Sequence, residues 1–138
     1  MENVLIFKKI TPLTKAYTKF VLNEMTDSNI TASYIPFIDA LSKQKFRSQH
    51  ELTEYLGCNK AHTSRTLFAM KIKGIIKPTY SQNIIELSDK GKEYVEKLKK
   101  IQKQFINLLS AGVTSEEKSI FNQVLDKFLA NSNKIEGV

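Results

Sequence analysis

The chain has a single cysteine, Cys58, in 138 residues. No intrachain disulfide can form, which suits a reducing compartment. Long apolar runs are missing as well. The N-terminal stretch Val4 to Phe7 is too short for a signal-peptide core or a membrane span. A cytoplasmic protein without membrane contact is expected. The five glycines form no phosphate-binding loop, and neither a paired-carboxylate nor a nucleophile motif is present. An enzyme therefore finds no support in the sequence. His50, Cys58 and His62 are the soft metal ligands available, and their spacing matches no standard site, so no metal or cofactor is expected. Internal repeats and low-complexity tracts are absent, and at this length one domain is expected.

The most informative absence is of acid. No Asp or Glu occurs between Glu54 and Glu86, whereas Lys60, Arg65, Lys71, Lys73 and Lys77 all do. The whole chain carries a formal charge of +7. A basic stretch with no acids among it is the electrostatic footprint of a nucleic-acid-binding surface. The lysines from Lys92 to Lys103 differ, being interleaved with Glu93 and Glu96. They read as an ordinary solvated helix face.

The same region, Ser48 to Gly91, has the clearest local signals. Ser48 and Glu51 have the spacing of a capping box. Leu52, Tyr55 and Leu56 follow on one helical face, and Gly57 supplies a left-handed C-cap. Asn59 is placed to cap the next helix, whose inward face is Thr63, Leu67 and Met70 with Thr66 beside them. Gly74 closes that helix. Ile75 and Ile76 then begin a β-prone run, Pro78 to Asn83 makes a turn, and Ile84, Ile85 and Leu87 return. Two short helices joined by a tight glycine turn and followed by a hairpin make a winged helix-turn-helix.

The order Leu56-Gly57, Ser64-Arg65, Lys73-Gly74-Ile75-Ile76 and Leu87-Ser88-Asp89-Lys90-Gly91 resembles the MarR family of transcription regulators. The resemblance covers most of the chain. It implies a mostly α fold with a short β-hairpin wing: a winged helix-turn-helix at 30–91 within a single domain, 1–138, with dimerisation helices at 1–29 and 92–138. In that family the N-terminal helix crosses to the other subunit. Family members bind double-stranded DNA as homodimers, and many are repressors released by a small phenolic ligand, a metal or an oxidant. The resemblance alone implies a small-molecule effector pocket between the dimer helices and the DNA module.

The flanking helices can also be read from periodicity. Leu13, Ala16, Tyr17, Phe20, Val21 and Met25 share a helical face. Thr11-Pro12 either starts that helix, as cap and first residue, or lies within one longer kinked helix. Thr26 to Asn29 reads as a polar loop. A second helix is expected from Ile30, with Pro36 in its first or second turn, and then a basic loop from Lys43 to Arg47. Ser88 opens a long helix to Leu109, and Gly112 ends it. Thr114 and Glu117 form another capping box before the last helix. Ile120, Phe121, Val124, Leu125, Phe128 and Leu129 give that helix a wide apolar stripe, more than so small a module can cover. A second copy of the chain is expected to cover it. Residues from Asn131 on are expected to fray.

Placing Thr63, Leu67 and Met70 inward turns Ala61, Arg65 and Phe68 outward, at about 100° per residue. Arg65 is the candidate for a bidentate bond to guanine, near the part of a recognition helix that enters the major groove. Ala61 permits close approach and offers its methyl to a thymine methyl. His62 and Ser64 face a base or a phosphate. Lys60 is a phosphate contact, as are Arg47 and Ser48 at a helix N-terminus. Lys77, Tyr80 and Gln82 in the wing complete the set. The alternative for Arg65 is an internal pair with Glu51 or Glu54. Phe68 is expected either in the core, on a rotated helix, or packed under the wing. Cys58 fills a small apolar slot in the turn or acts as a thiol sensor. The hairpin is shorter than MarR-like wings. Ser81-Gln82-Asn83 stands where those carry an Asp-Arg pair, so minor-groove readout by arginine is not expected. The rival reading is a winged-helix dimer that has lost DNA binding and acts as a protein-interaction module.

Overall fold

The computed structural model describes residues 5–78 and 84–136. Among them are six α-helices: α1 (Leu5–Glu24), α2 (Tyr34–Lys43), α3 (Gln49–Leu56), α4 (Lys60–Ile72), α5 (Asp89–Leu109) and α6 (Ser115–Glu136). A single 3₁₀ turn, Thr26–Ser28, separates the first two. No helix among the described residues is long and apolar enough to cross a membrane. The chain divides into two compact units, Met1–Phe105 and Ile106–Val138.

The first unit holds the core. Val21 and Met25 of α1 pack with Phe37, Ile38 and Leu41 of α2, Leu52 of α3, Leu67 and Met70 of α4, and Tyr94, Val95 and Leu98 of α5. Thr11-Pro12 does not start a helix. Pro12 lies inside α1, which runs unbroken from Leu5 to Glu24. Proline in a helix interior removes a backbone bond, and the apolar face from Tyr17 to Met25 packed on the core offsets that loss. The second helix begins at Tyr34, four residues later than expected. Pro36 is the reason: tolerated in a first turn and not deeper, it fixes the start close before itself.

Phe46 corrects the reading of Lys43 to Arg47 as a plain basic loop. Its side chain is fully buried. Its backbone forms an antiparallel bridge with Ile85 through two hydrogen bonds, 3.1 and 2.7 Å long. Burying a side chain of this size stabilises by about 1.5–3 kcal/mol. A second bridge pairs Ile76 with Leu87, and the Lys77 N–H donates to the Glu86 carbonyl at 3.0 Å. The described part of the expected hairpin thus consists of isolated bridges, not extended strands. Of its expected turn, Pro78 to Asn83, residues 79–83 lie outside the described residues.

Ser88 joins this base to α5. Its Oγ accepts the Gly91 N–H at 3.1 Å, and its hydroxyl lies within bonding distance of the Gly74 and Ile75 carbonyls. Gly91 is required by close packing, because a Cβ there would collide with the Ile75 carbonyl oxygen. The Leu87 to Gly91 sequence is therefore the joint between the wing base and the long helix.

In the second unit, Thr114 Oγ1 accepts the Glu117 N–H at 3.1 Å and Glu117 Oε1 accepts the Thr114 N–H at 2.9 Å. This is the expected reciprocal capping box. These bonds hold the Glu117 carboxyl below its ordinary pKa. Helix α6 continues to Glu136, so the fraying expected from Asn131 is not seen there. Ile120, Phe121, Val124, Phe128 and Leu129 are exposed along it. A cavity of about 510 Å³ lies among Ile106, Leu109, Val113 and Phe121.

Candidate nucleic-acid interface

Helices α3 and α4 are held at a fixed angle by their turn. Ser48 Oγ accepts the Glu51 N–H at 3.0 Å and opens α3. Glu51 reaches back one residue further than a capping box requires, accepting the Arg47 N–H at 3.3 Å. Gly57 ends α3 at φ +66°, a left-handed conformation that favours glycine. Asn59 Oδ1 accepts the His62 N–H at 2.8 Å and opens α4. Beneath the turn, Thr53 Oγ1 lies 2.7 Å from Thr63 Oγ1, and Cys58 Sγ lies 3.2 Å from that same oxygen. Thr53 and Thr63 are buried and Cys58 is half-buried. Cys58 thus sits against a hydroxyl pair that ties the two helices together, not in a purely apolar slot.

Thr63, Thr66, Leu67 and Met70 form the buried face of α4, as expected. Opposite them, Ala61, Ser64 and Arg65 are exposed. Among the described residues neither Lys60 nor Arg65 makes an ion pair, so the internal partner considered for Arg65 is not used. Phe68 is not a core residue: it is 66% exposed, far more than packing beneath a wing would leave it. His62 is half-buried, its ring edge-on to Phe37 at 5.8 Å, and is therefore partly committed to the module itself.

Arg47 and Ser48 lie on a cavity of about 330 Å³ at the N-terminus of α3. Gln49, Lys71 and Lys77 also line it, over an apolar floor of Leu67, Ile76 and Ile85. Helix N-terminal N–H groups favour negative charge in general, and at this end the Glu51 carboxylate accepts the Arg47 N–H. The sequence reading missed Lys71 and Gln49 here. Lys71 follows Leu67 by four residues, so helical spacing alone could have placed it beside that floor. Lys77 is on the same cavity but also pairs with Glu86 at 3.1 Å, as does Lys45 at 3.0 Å. Hydrogen bonds from Lys45 and Lys77 hold the Glu86 carboxyl below its ordinary pKa. Lys73 is committed elsewhere, donating to the Asn29 carbonyl at 2.7 Å and lying over the Tyr34 ring. Tyr80 and Gln82 lie outside the described residues. Among the described residues no three His, Cys, Asp or Glu side chains gather as a metal-ligand group, and His50, Cys58 and His62 are not brought together as one.

No protein-family model matches the chain. It is 27% identical over 114 residues to YdgJ, an uncharacterised HTH-type transcriptional regulator of Bacillus subtilis (strain 168), covering 79% of this chain and 70% of that protein. A MarR transcriptional regulator from Methanosarcina mazei Go1 superposes with a TM-score of 0.86 at 21% identity, over 95% of this chain and 91% of that one. A Listeria monocytogenes protein assigned to the MarR family and solved with a 26mer DNA superposes with a TM-score of 0.78 at 17% identity, over 91% of this chain and 87% of that one. The chain thus resembles the MarR transcriptional regulators and shares their mostly helical fold.

Proposed function

We propose that this chain is a sequence-specific double-stranded-DNA-binding transcription regulator, a repressor that binds a palindromic operator as a homodimer. The observation that carries the reading is the outward side of α4. Lys60 and Arg65 stand exposed there without an ion pair among the described residues, in a stretch that contains no acid from Tyr55 to Ile85.

In this reading Arg65 bonds to guanine in the major groove, with Ala61 and Ser64 beside it. Lys60 and the α3 cradle of Arg47 and Ser48 hold phosphates on either side and so set the register. Lys77 adds a weaker contact because Glu86 shares its charge. His62, Tyr80 and Gln82 complete the candidate set. The apolar stripe of α6 and the exposed Phe7, Ile10 and Leu13 of α1 supply the dimer contacts. The 27% identical regulator and the fold shared with a DNA-bound protein support the same class.

The test is binding to duplex from the chain's own upstream region, beside Arg65→Ala, at two salt concentrations. The wild-type chain is expected to bind this duplex more tightly than random duplex, with affinity falling as salt rises. Arg65→Ala is expected to lose about 1–3 kcal/mol of that discrimination. Feeble binding by both proteins to every duplex would instead favour a protein-interaction module.

A further inference from the structure

Helix α4 carries more on its outward face than its charges. Taking Ala61 as zero and advancing about 100° per residue, Arg65, Phe68 and Ile72 all fall within about 40° of it. The four form one straight stripe opposite the buried Thr63 and Met70. Phe68 is 66% exposed and Ile72 70% exposed. A helix in a small soluble module normally turns charged or polar groups to water along this line. Here an aromatic and a branched aliphatic side chain occupy it, one and two turns beyond Arg65.

The surroundings decide what this apolar strip fits. Lys60 and Arg65 lie on or beside it, and the flanking sequence has no acid from Tyr55 to Ile85. An apolar protein partner would be poorly matched to that field. The major groove of DNA matches both parts, with phosphates at the rims and the thymine C5-methyl on its floor as the one apolar group it displays.

We infer that Phe68 is a specificity-determining residue that reads a thymine methyl next to the guanine bonded by Arg65. The inference rests on the DNA-binding reading and deepens it. The Cα atoms of Arg65 and Phe68 are about 4.5 Å apart along the helix axis, against about 3.4 Å between base pairs. The thymine therefore lies one or two base pairs from the guanine. Ile72, a turn further at 70% exposure, extends the apolar strip beyond Phe68.

The experiment begins by selecting bound duplexes from a randomised pool with the full wild-type chain. Each thymine of the selected site is then replaced singly by deoxyuridine, which removes only the methyl group. At one thymine beside the guanine, the wild-type chain is expected to lose about fourfold in affinity, the value of one buried methyl. Phe68→Ala is expected to bind the thymine and uracil duplexes equally. Phe68→Leu, which keeps an apolar side chain, is expected to retain part of the difference. Because Phe68 is exposed, the thermal midpoints of both variants should match wild type.

An unchanged affinity at every uracil, or a uracil penalty that persists in Phe68→Ala, would overturn the inference while leaving DNA binding intact. Failure of the wild-type chain to select any sequence would overturn the DNA reading itself. A drop in oligomeric mass in Phe68→Ala without a change in uracil sensitivity would assign the strip to a protein contact and also overturn the inference.

Discussion

The two compact units treat apolar side chains in opposite ways. Up to Phe105, most large apolar residues converge on one core, and Phe37, Phe46, Leu52 and Met70 are almost wholly shielded from water, while Phe7, Ile10, Leu13, Tyr55, Phe68 and Ile72 stay exposed. From Ile106 to Ile135 no described side chain is buried, although Phe121, Phe128 and Leu129 are as apolar as any in the core. The first unit buries an apolar core of its own. The second has a capping box, a glycine stop and a good helical stripe, and still leaves that stripe in solvent. Local signals are enough to form a helix of this length, but burying its face requires another surface. The division between a buried core and an open apolar stripe fits the proposed dimeric DNA-binding protein.

The largest effect separating the units is expected from Phe46→Ala. Emptying this site should cost about 3–5 kcal/mol, read by urea denaturation, with a loss that does not depend on protein concentration. A loss below about 1 kcal/mol would mean that the Phe46–Ile85 bridge, and not the side chain, secures the wing base. Next is the pair Phe121→Asp and Phe128→Asp. Because both positions are exposed, the protomer should stay folded by circular dichroism while sedimentation reports a monomer at micromolar concentration. An unchanged mass would break the comparison, since the open stripe would then have no role in assembly.

A smaller change is expected within the first unit. Thr63→Val removes the oxygen shared by Thr53 and Cys58 and should cost about 1 kcal/mol. Thermal denaturation reads it, and a neutral result would show that packing alone fixes the α3–α4 angle. The smallest concerns pH. The folded-state pKa of Glu86 is lowered by Lys45 and Lys77. Its contribution is therefore present above the ordinary glutamate pKa and is lost as pH falls through the lowered folded value. Glu86→Gln should be slightly less stable than wild type near neutrality. The two should converge in acid below the ordinary value of 4.5, and a constant gap across that range would remove the charge from the explanation.

How much of this was legible in the sequence follows from the range of each interaction. Ser48, Gly57, Asn59, Ser88, Thr114 and Glu117 act on backbone within a few residues, and each was readable from its neighbours. The buried face of α4 was readable for the same reason. Phe46 was not, because it stands alone among Lys43, Lys45 and Arg47 and its partner Ile85 is far away in sequence. The Glu86 clasp on Lys77 was hidden in the same way, and it changes how much of that lysine is available to phosphate. The start of α2 was misplaced because the apolar spacing from Ile30 continues through a turn, and Pro36 settles the boundary. Phe68 departs from the general rule that aromatics seek cover, and nothing in its neighbouring sequence signals that exposure.

The most direct test of the central claim is a hydroxyl-radical footprint of the wild-type chain on its selected duplex. Two protected half-sites, related by a two-fold and centred about 34 Å apart, are expected, and both should vanish together with Arg65→Ala. A single protected patch, or protection that follows the backbone without regard to sequence and survives Arg65→Ala, would contradict the account.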